Sequence, residues 1–164
     1  MNHSRWMLGG VAAVSVAAVG AALVSQYVYN MQPCPWCVLQ RVVFLAIAIV
    51  ALVGLVLPGA LRRLAVLLLV LLTGCGAAAA LWQHYVAGNS ASCNLTLADK
   101  IVGGLKLDEH LPEIFMATAS CSDAKVNLFG LPYEAWSLAL FALMGAVGVR
   151  LLLPSRPAQR LSRT

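Results

Sequence analysis

The residues with the clearest capacity for chemistry lie in the segment PCPWCVLQR, at positions 33–41. It contains Cys34 and Cys37 in a C-x-x-C arrangement, and Arg41 follows four residues after the second cysteine. A disulfide between cysteines this close in sequence closes a very short loop, so it adds little stability. C-x-x-C pairs instead carry out thiol–disulfide exchange, in which one cysteine reacts as a thiolate. The spacing therefore predicts a redox-active pair.

Cys93 and Cys121 form a second candidate pair, within one long polar segment. A disulfide between them would close a long loop, where a structural staple adds most stability. The same cysteines can also exchange with other thiols, because a long polar segment is accessible to a partner. Four thiolates can bind zinc as well, but only their number favours that use, and the three histidines are scattered along the chain. We predict disulfide chemistry and no metal site.

A helix is predicted to begin at the C-x-x-C segment. Proline favours the first position of a helix, so Pro35 makes Cys34 the N-cap and Cys37 the third helical residue. The unpaired N–H groups and the dipole at a helix start favour negative charge, and we expect them to stabilise a thiolate on Cys37. Arg41 then lies one turn further on the same face. An arginine at the edge of hydrocarbon usually marks a site; the alternative is an interfacial side chain that extends towards water.

The elements that position these residues are predicted to be membrane helices. Of the 164 residues, 61% are hydrophobic and only 10% are charged, which is unlike a soluble domain. Four apolar stretches have the length that crosses a bilayer, namely residues 7–28, 38–57, 64–86 and 135–153. The sequence therefore predicts an all-α membrane protein, a single membrane domain over residues 1–164 that forms a four-helix transmembrane bundle. The fifth cysteine, Cys75, is expected to pack at a helix contact as a small residue.

Basic residues orient this bundle. They cluster on one side of the predicted spans, whereas the other side mixes lysines with acidic residues; the cluster is Arg5, Arg62, Arg63, Arg150, Arg156, Arg160 and Arg163. By the positive-inside rule, both termini are cytoplasmic and the segments 29–37 and 87–134 are external. The net charge of +5 comes largely from these topology signals and gives no nucleic-acid-binding patch. Cysteines in the external segments face an oxidising compartment, where disulfides persist.

Parts of the chain are predicted to lie at the outer membrane surface. Apolar residues recur in the second external segment at Leu105, Leu107, Leu111, Ile114 and Phe115. This pattern is compatible with a short surface helix, whose length Pro112 would limit. Aromatic residues near the outer ends of the spans are expected to form an interfacial belt; these are Trp36, Trp82, Tyr85, Tyr133 and Trp136.

The order of these features resembles that of the DsbB family, bacterial inner-membrane proteins that generate disulfides. The resemblance covers essentially the whole chain: four spans, a C-x-x-C at the outer start of the second, and a cysteine pair in the second external loop. Shorter segments agree, since CVLQR resembles the family's stretch from the second C-x-x-C cysteine to a quinone-contacting arginine. LPEIF and FGLPYEAW resemble the segments before the last loop cysteine and before the fourth span.

The resemblance implies an electron relay. A reduced periplasmic oxidase of the thioredoxin fold, similar to DsbA, would attack the Cys93–Cys121 disulfide at Cys93. Cys121 would then exchange with Cys34, and the Cys37 thiolate would reduce a quinone bound near Arg41. Ubiquinone is the expected quinone, with menaquinone as the alternative. In the family a histidine at the position of His84 is associated with the quinone site, whereas a neutral histidine satisfied at a helix end is an equal interpretation.

Two other functions were weighed against this relay. An enzyme similar to vitamin K epoxide reductase also links membrane thiols to a quinone, but its C-x-x-C comes late in the chain, and here it opens the second span. A thiol-based metal transporter would need cysteines along a path through the membrane, where Cys75 has no partner. The predicted function is therefore that of a protein dithiol:quinone oxidoreductase of the bacterial inner membrane.

Overall fold

The computed structural model of the protein describes residues 2–89, 96–124, 126–128 and 130–153. Four long helices account for most of this part of the chain: α1 (Asn2–Tyr27), α2 (Pro35–Val56), α3 (Gly59–Tyr85) and, after three shorter helices, α7 (Tyr133–Leu152). All four are long and apolar enough to cross a membrane. The predicted all-α membrane bundle is thus confirmed.

The four long helices pack around an apolar core, in which an aromatic ring packs directly against a glycine. The rings of Phe44 on α2 and Phe141 on α7 are stacked, with centroids 4.2 Å apart. Phe141 also lies against Gly76 of α3, where an added Cβ would come within 2.5 Å of the ring. The absence of a side chain at Gly76 therefore allows α3 and α7 to approach closely, as small residues do in membrane bundles.

Cys75 does not take part in this contact. Its side chain is exposed on the surface of α3, so the prediction that it packs at a helix contact is wrong. The neighbouring Gly76 occupies the inward-facing position instead. Many of the exposed side chains on the long helices are apolar, as expected for a surface that faces lipid; they include Val16, Ile49, Leu71 and Leu143.

The segment between α3 and α7, predicted to be external and called the second external segment below, contains three short helices: α4 (Leu97–Gly104), α5 (Leu107–His110) and α6 (Pro112–Phe115). They pack near the N-terminal end of α2, which is called its outer end on the basis of the same prediction. Thr96 and Asp99 form a capping box that fixes the start of α4. One short helix was predicted around residues 105–115, and two four-residue helices occupy this region. The reason is local: Lys106 adopts a left-handed φ of 52°, and Pro112 starts a new helix.

A small antiparallel hairpin leads into α7. It pairs strand β1 (Asn127–Leu128) with strand β2 (Leu131–Pro132), and Asn127 lies opposite Pro132. Gly130 in the turn has a φ of 81°, a conformation that glycine adopts without strain. The backbone N–H of Tyr133 donates to the Val126 carbonyl over 3.0 Å, which joins the hairpin to the first residue of α7. The hairpin therefore fixes the outer end of the fourth long helix.

Candidate functional site

Three of the four predicted redox cysteines meet at the outer end of α2. Cys34 is the N-cap of this helix, with Pro35 in its first turn, as the sequence predicted. The Cys34 side chain is fully buried, and its Sγ lies 3.0 Å from Cys37 Sγ. Cys121 packs against the same buried cluster as Cys34 and Cys37. All three are free thiols in this structure, and Cys93 lies outside the described residues.

The free N–H groups at the start of α2 point to two of these sulfur atoms. The N–H of Cys37 donates to Cys34 Sγ over 3.4 Å, and the N–H of Trp36 helps, after the contact with Cys34, to lower the pKa of Cys121. The sequence predicted that the helix start would stabilise a thiolate on Cys37; the described backbone donors lie at Cys34 and Cys121, and the thiolate on Cys37 stays a prediction. Cys34 accepts from the Cys37 N–H because an N-cap side chain is the one that reaches the N–H of the third helical residue.

Hydrogen bonds between the two external segments hold Cys121 in this position. The backbone N–H groups of Thr118 and Ala119 donate to the Pro33 carbonyl over 3.0 and 3.3 Å. The Thr118 hydroxyl also donates to Gln32 Oε1 over 2.6 Å. The chain is thus tied to the residue that precedes Cys34, shortly before it reaches Cys121.

The same contacts separate the pKa values of Cys34 and Cys121. The hydrogen bond with Cys34 lowers the pKa of Cys121, even though partial burial acts in the opposite direction. The pKa of Cys34 is raised by its hydrogen bonds with Cys121 and Cys37 and by its burial. In the reduced protein Cys34 therefore keeps its proton, and Cys121 is the cysteine of this pair that ionises first.

Cys37 receives its side-chain hydrogen bond from α3. Gln83 Nε2 lies 3.3 Å from Cys37 Sγ, and Gln83 Oε1 accepts a hydrogen bond from Gln40 Nε2 over 2.7 Å. Both glutamine side chains are buried. Neither was predicted, although a glutamine in the apolar stretch LWQHYV and another one turn after Cys37 were signals in the sequence.

Arg41 joins three elements. Its Nη1 donates to Gln26 Oε1 of α1 over 2.7 Å and to the Ile114 carbonyl of α6 over 2.8 Å. Only 5% of the residue is exposed, so the alternative of an interfacial arginine that extends towards water does not describe it. Arg41 thus lies at a buried position next to the cysteines, where it also fixes the path of the second external segment.

A cavity of about 220 Å³ lies beside Cys37 and Arg41. Its polar lining comes from α2, α3 and the start of α7, namely Cys37, Gln40, Arg41, Gln83 and Glu134. Apolar side chains form much of the remaining wall, among them Ala18, Ala22, Phe44 and Leu140. A cavity with a few polar groups on an apolar wall suits a planar, apolar ligand with a hydrogen-bonding oxygen.

His84 reaches this cavity through another residue. Its Nδ1 lies 2.8 Å from Glu134 Oε1, and Glu134 is buried and lines the cavity. The His84 side chain is 45% exposed. Glu134 was not predicted from the sequence, since nothing local to FGLPYEAW distinguishes it from a carboxylate at an ordinary helix start.

The aromatic residues expected in an interfacial belt divide into two groups. Trp82 and Tyr85 are exposed near the outer end of α3, as a belt requires. Trp36 is buried beside Trp82, with ring centroids 6.3 Å apart, and Tyr133 and Trp136 line the cavity. The belt prediction is wrong for Trp36, because it is buried; Trp136 is exposed although it also borders the cavity, and Tyr133 is partly buried.

Comparisons with known proteins agree with this arrangement. The model of the family described as "Disulfide bond formation protein DsbB" matches residues 4–151. "Disulfide bond formation protein B 1" of Pseudomonas syringae pv. syringae is 36% identical, over 79% of this chain and 78% of its own length. "Disulfide bond formation protein B" of Cupriavidus metallidurans is 35% identical, over 90% of this chain and 93% of the relative. The protein of that name from Aromatoleum aromaticum is 33% identical, over 93% and 95%.

Proposed function

Because the chain belongs to the DsbB family of disulfide bond formation proteins, we propose that it is a membrane thiol:quinone oxidoreductase that generates disulfides. A redox role in disulfide formation follows from the family, and the four apolar helices make it a multi-pass membrane protein. The proposal adds the source and the destination of the electrons. They come from a reduced partner protein outside the membrane and pass to a quinone within it.

Electrons move by two successive exchanges between disulfides. A thiolate of the partner attacks Cys93 in a Cys93–Cys121 disulfide, and the Cys121 sulfur leaves as a thiolate. The partner's second thiol then completes its own disulfide and releases Cys93. Cys121 attacks Cys34 in a Cys34–Cys37 disulfide, and Cys37 leaves as a thiolate. Cys93 then attacks Cys121, which restores the Cys93–Cys121 disulfide and releases Cys34, so that Cys34 and Cys37 together hold the two electrons for the quinone. The packing of Cys121 against the buried cluster of Cys34, where Cys37 also packs, is the observation that carries this proposal, since it brings the two external segments together at the reacting sulfurs.

The cavity beside Cys37 fits a quinone head group. The buried Arg41 guanidinium supplies a hydrogen-bond donor for a carbonyl oxygen, and apolar walls suit the ring. Cys37 and Arg41 would hold the group, and His84 would act on it through Glu134. A bound quinone supplies a two-electron acceptor that takes up two electrons and two protons. Ubiquinone is the proposed acceptor, with menaquinone as the alternative.

The proposed partner is a periplasmic oxidase with a thioredoxin fold, similar to DsbA. Cys121 is partly exposed at the outer end of the bundle, which gives such a partner access to this segment. Arg62 and Arg63 lie at the opposite end, in the first turns of α3. By the positive-inside rule we assign that end and both termini to the cytoplasm, and the cysteine segments to the periplasm of a bacterium.

Thiol labelling of the purified, fully reduced protein tests the electron acceptor. The protein is incubated with or without ubiquinone and then alkylated, and each cysteine is quantified by mass spectrometry. Quinone should protect Cys34 and Cys37 by oxidising them, whereas the exposed Cys75 should label equally in both samples and serves as the internal control. Equal labelling of Cys34 and Cys37 with and without quinone would rule out the proposed acceptor.

A further inference from the structure

Two buried glutamines form a directed chain of hydrogen bonds that ends on the sulfur of Cys37. Gln40 Nε2 donates to Gln83 Oε1 over 2.7 Å, and Gln83 Nε2 donates to Cys37 Sγ over 3.3 Å. Gln40 is 4% exposed and Gln83 is 6% exposed. Buried amides need partners because their desolvation is costly, but most such pairs do not end on a reactive atom.

We propose that Gln83 is a catalytic residue that stabilises the Cys37 thiolate, and that Gln40 is a positioning residue that orients the Gln83 amide. This inference rests on the proposed function, in which Cys37 leaves as a thiolate when Cys121 attacks Cys34. A hydrogen bond to an ionised acceptor is stronger than one to a neutral acceptor, so the Gln83 amide favours the departing thiolate over the disulfide sulfur. A group that favours the leaving thiolate speeds the exchange.

The direction of the amide is essential to this role. A glutamine side chain has an N–H₂ donor at one corner and a carbonyl acceptor at the other. If the amide turned over, Gln83 would present its carbonyl oxygen to a negatively charged sulfur. Gln40 prevents this, because its own N–H₂ group faces Gln83 and requires an acceptor there. The orientation at the sulfur is therefore set by a residue that does not touch the sulfur.

The other nitrogen donors in this region are directed elsewhere, whereas Cys34 Sγ lies 3.0 Å from Cys37 Sγ and can share its hydrogen with it in the reduced protein. In the exchange step Cys34 is bonded to Cys121 and has no hydrogen to donate. The backbone N–H groups of Trp36 and Cys37 serve the sulfurs of Cys121 and Cys34. Arg41 Nη1 donates to Gln26 and to the Ile114 carbonyl. Among the described residues, Gln83 is thus the neighbour whose side-chain N–H is assigned to Cys37 Sγ. Each of the three sulfurs has its own amide donor.

The test is the alkylation rate of Cys37 in the reduced, full-length protein at a fixed neutral pH, followed by mass spectrometry. In Gln83→Met, which keeps the length of the side chain without a donor, the rate should fall about three- to tenfold. Gln40→Met should give a smaller fall, because the Gln83 amide is then free to turn. The double variant should match Gln83→Met alone, since Gln40 acts only through Gln83.

Thr73→Val is the matched control. It removes another buried polar side chain of α3, whose hydroxyl bonds to the Val70 carbonyl of its own helix. Cys37 should label at the wild-type rate in this variant, and the exposed Cys75 should label equally in every variant. An unchanged Cys37 rate in Gln83→Met would overturn the donor role. Full additivity of the two glutamine variants would overturn the positioning role of Gln40.

The measurement needs neither quinone nor a partner protein, so it is independent of the test of the proposed function. If quinone fails to protect the cysteines while Gln83→Met still slows Cys37 labelling, the proposed acceptor is wrong and the donor role stands. If quinone protects the cysteines and Gln83→Met labels at the wild-type rate, the acceptor stands and the donor role is wrong. Loss of the folded protein in Gln83→Met would be seen as faster Cys34 labelling, and Gln40→Met then decides the outcome.

Discussion

The backbone N–H of Trp36 helps, after the contact with Cys34, to lower the pKa of Cys121, although Trp36 and Cys121 belong to different external segments. Trp36 lies in the first turn of α2, where N–H groups have no partner within the helix. The start of this helix therefore does more than hold its own C-x-x-C pair. It also lies beside Cys121 of the second external segment, and it favours the thiolate form of this cysteine.

The lowered pKa of Cys121 predicts an order of reactivity. Alkylation requires the thiolate, so a lowered pKa shifts the reaction of Cys121 to lower pH, and the raised pKa of Cys34 shifts its reaction to higher pH. A pH series of iodoacetamide labelling on the reduced protein should show Cys121 reacting first. Cys34→Ala removes the neighbouring thiol that lowers the pKa of Cys121, so alkylation of Cys121 should shift to higher pH. Overlapping profiles for the two cysteines would contradict the assigned contact.

The direction of electron flow predicts unequal behaviour of the two loop cysteines. Cys121→Ala removes the cysteine that would otherwise form a disulfide with Cys93. A partner with a single active-site cysteine should therefore be trapped on Cys93 as a mixed disulfide under oxidising conditions. Cys93→Ala should trap far less, because Cys121 lies next to Cys34 and pairs with it instead. A non-reducing gel of both variants measures the difference. Equal trapping by both, or by neither, would be inconsistent with the proposed roles.

Replacement of Arg41 should weaken the use of quinone and leave thiol–disulfide exchange nearly unchanged. Arg41→Met removes the buried donor of the cavity, so the quinone concentration needed for half-maximal turnover should rise about tenfold or more. A single exchange with reduced partner should proceed nearly as in the wild type. Arg62→Met is the control, because Arg62 bonds to the Leu57 carbonyl at the opposite end of α2. An equal loss of both steps in Arg41→Met would indicate misfolding instead.

The contact between Gly76 and Phe141 predicts a loss of stability. A Cβ at position 76 would come within 2.5 Å of the Phe141 ring, which is itself stacked on Phe44. Gly76→Ala should therefore destabilise the bundle by about 1–3 kcal/mol, as overpacking does in cores. Gly74→Ala on the same helix meets no atom within 4 Å and should be neutral. Unfolding of both variants in detergent micelles gives the comparison, and equal stabilities would contradict the packing argument.

Much of the fold was accessible from the sequence because its signals are local. A proline after Cys34 is enough to predict the N-cap, and apolar length is enough to predict the four long helices. The division of the second external segment into α4, α5 and α6 was foreseeable only in part. Pro112 indicates a new helix start. The left-handed backbone at Lys106 could not be predicted, because the residue at that position is not glycine.

The site was less accessible, because its geometry depends on how the helices are rotated against each other. Arg41 was found from its spacing to Cys37 within one helix. Gln83 and Glu134 belong to two other helices, and only packing brings them to the same cavity. The same rotation turns Cys75 outwards and Gly76 inwards, a difference of one residue that composition does not reveal.

The second external segment is held largely through main-chain atoms. Its carbonyl and N–H groups at four positions bond to residues of the first external segment and of the adjoining helices; these positions are Glu113, Ile114, Thr118 and Ala119. Such bonds do not depend on the identity of the side chains, but they do depend on the number of residues between them. Over evolution, the segment can thus vary in composition, whereas one inserted or deleted residue between positions 115 and 120 would separate Cys121 from Cys34. We expect the length of this segment to be under stronger selection than its sequence.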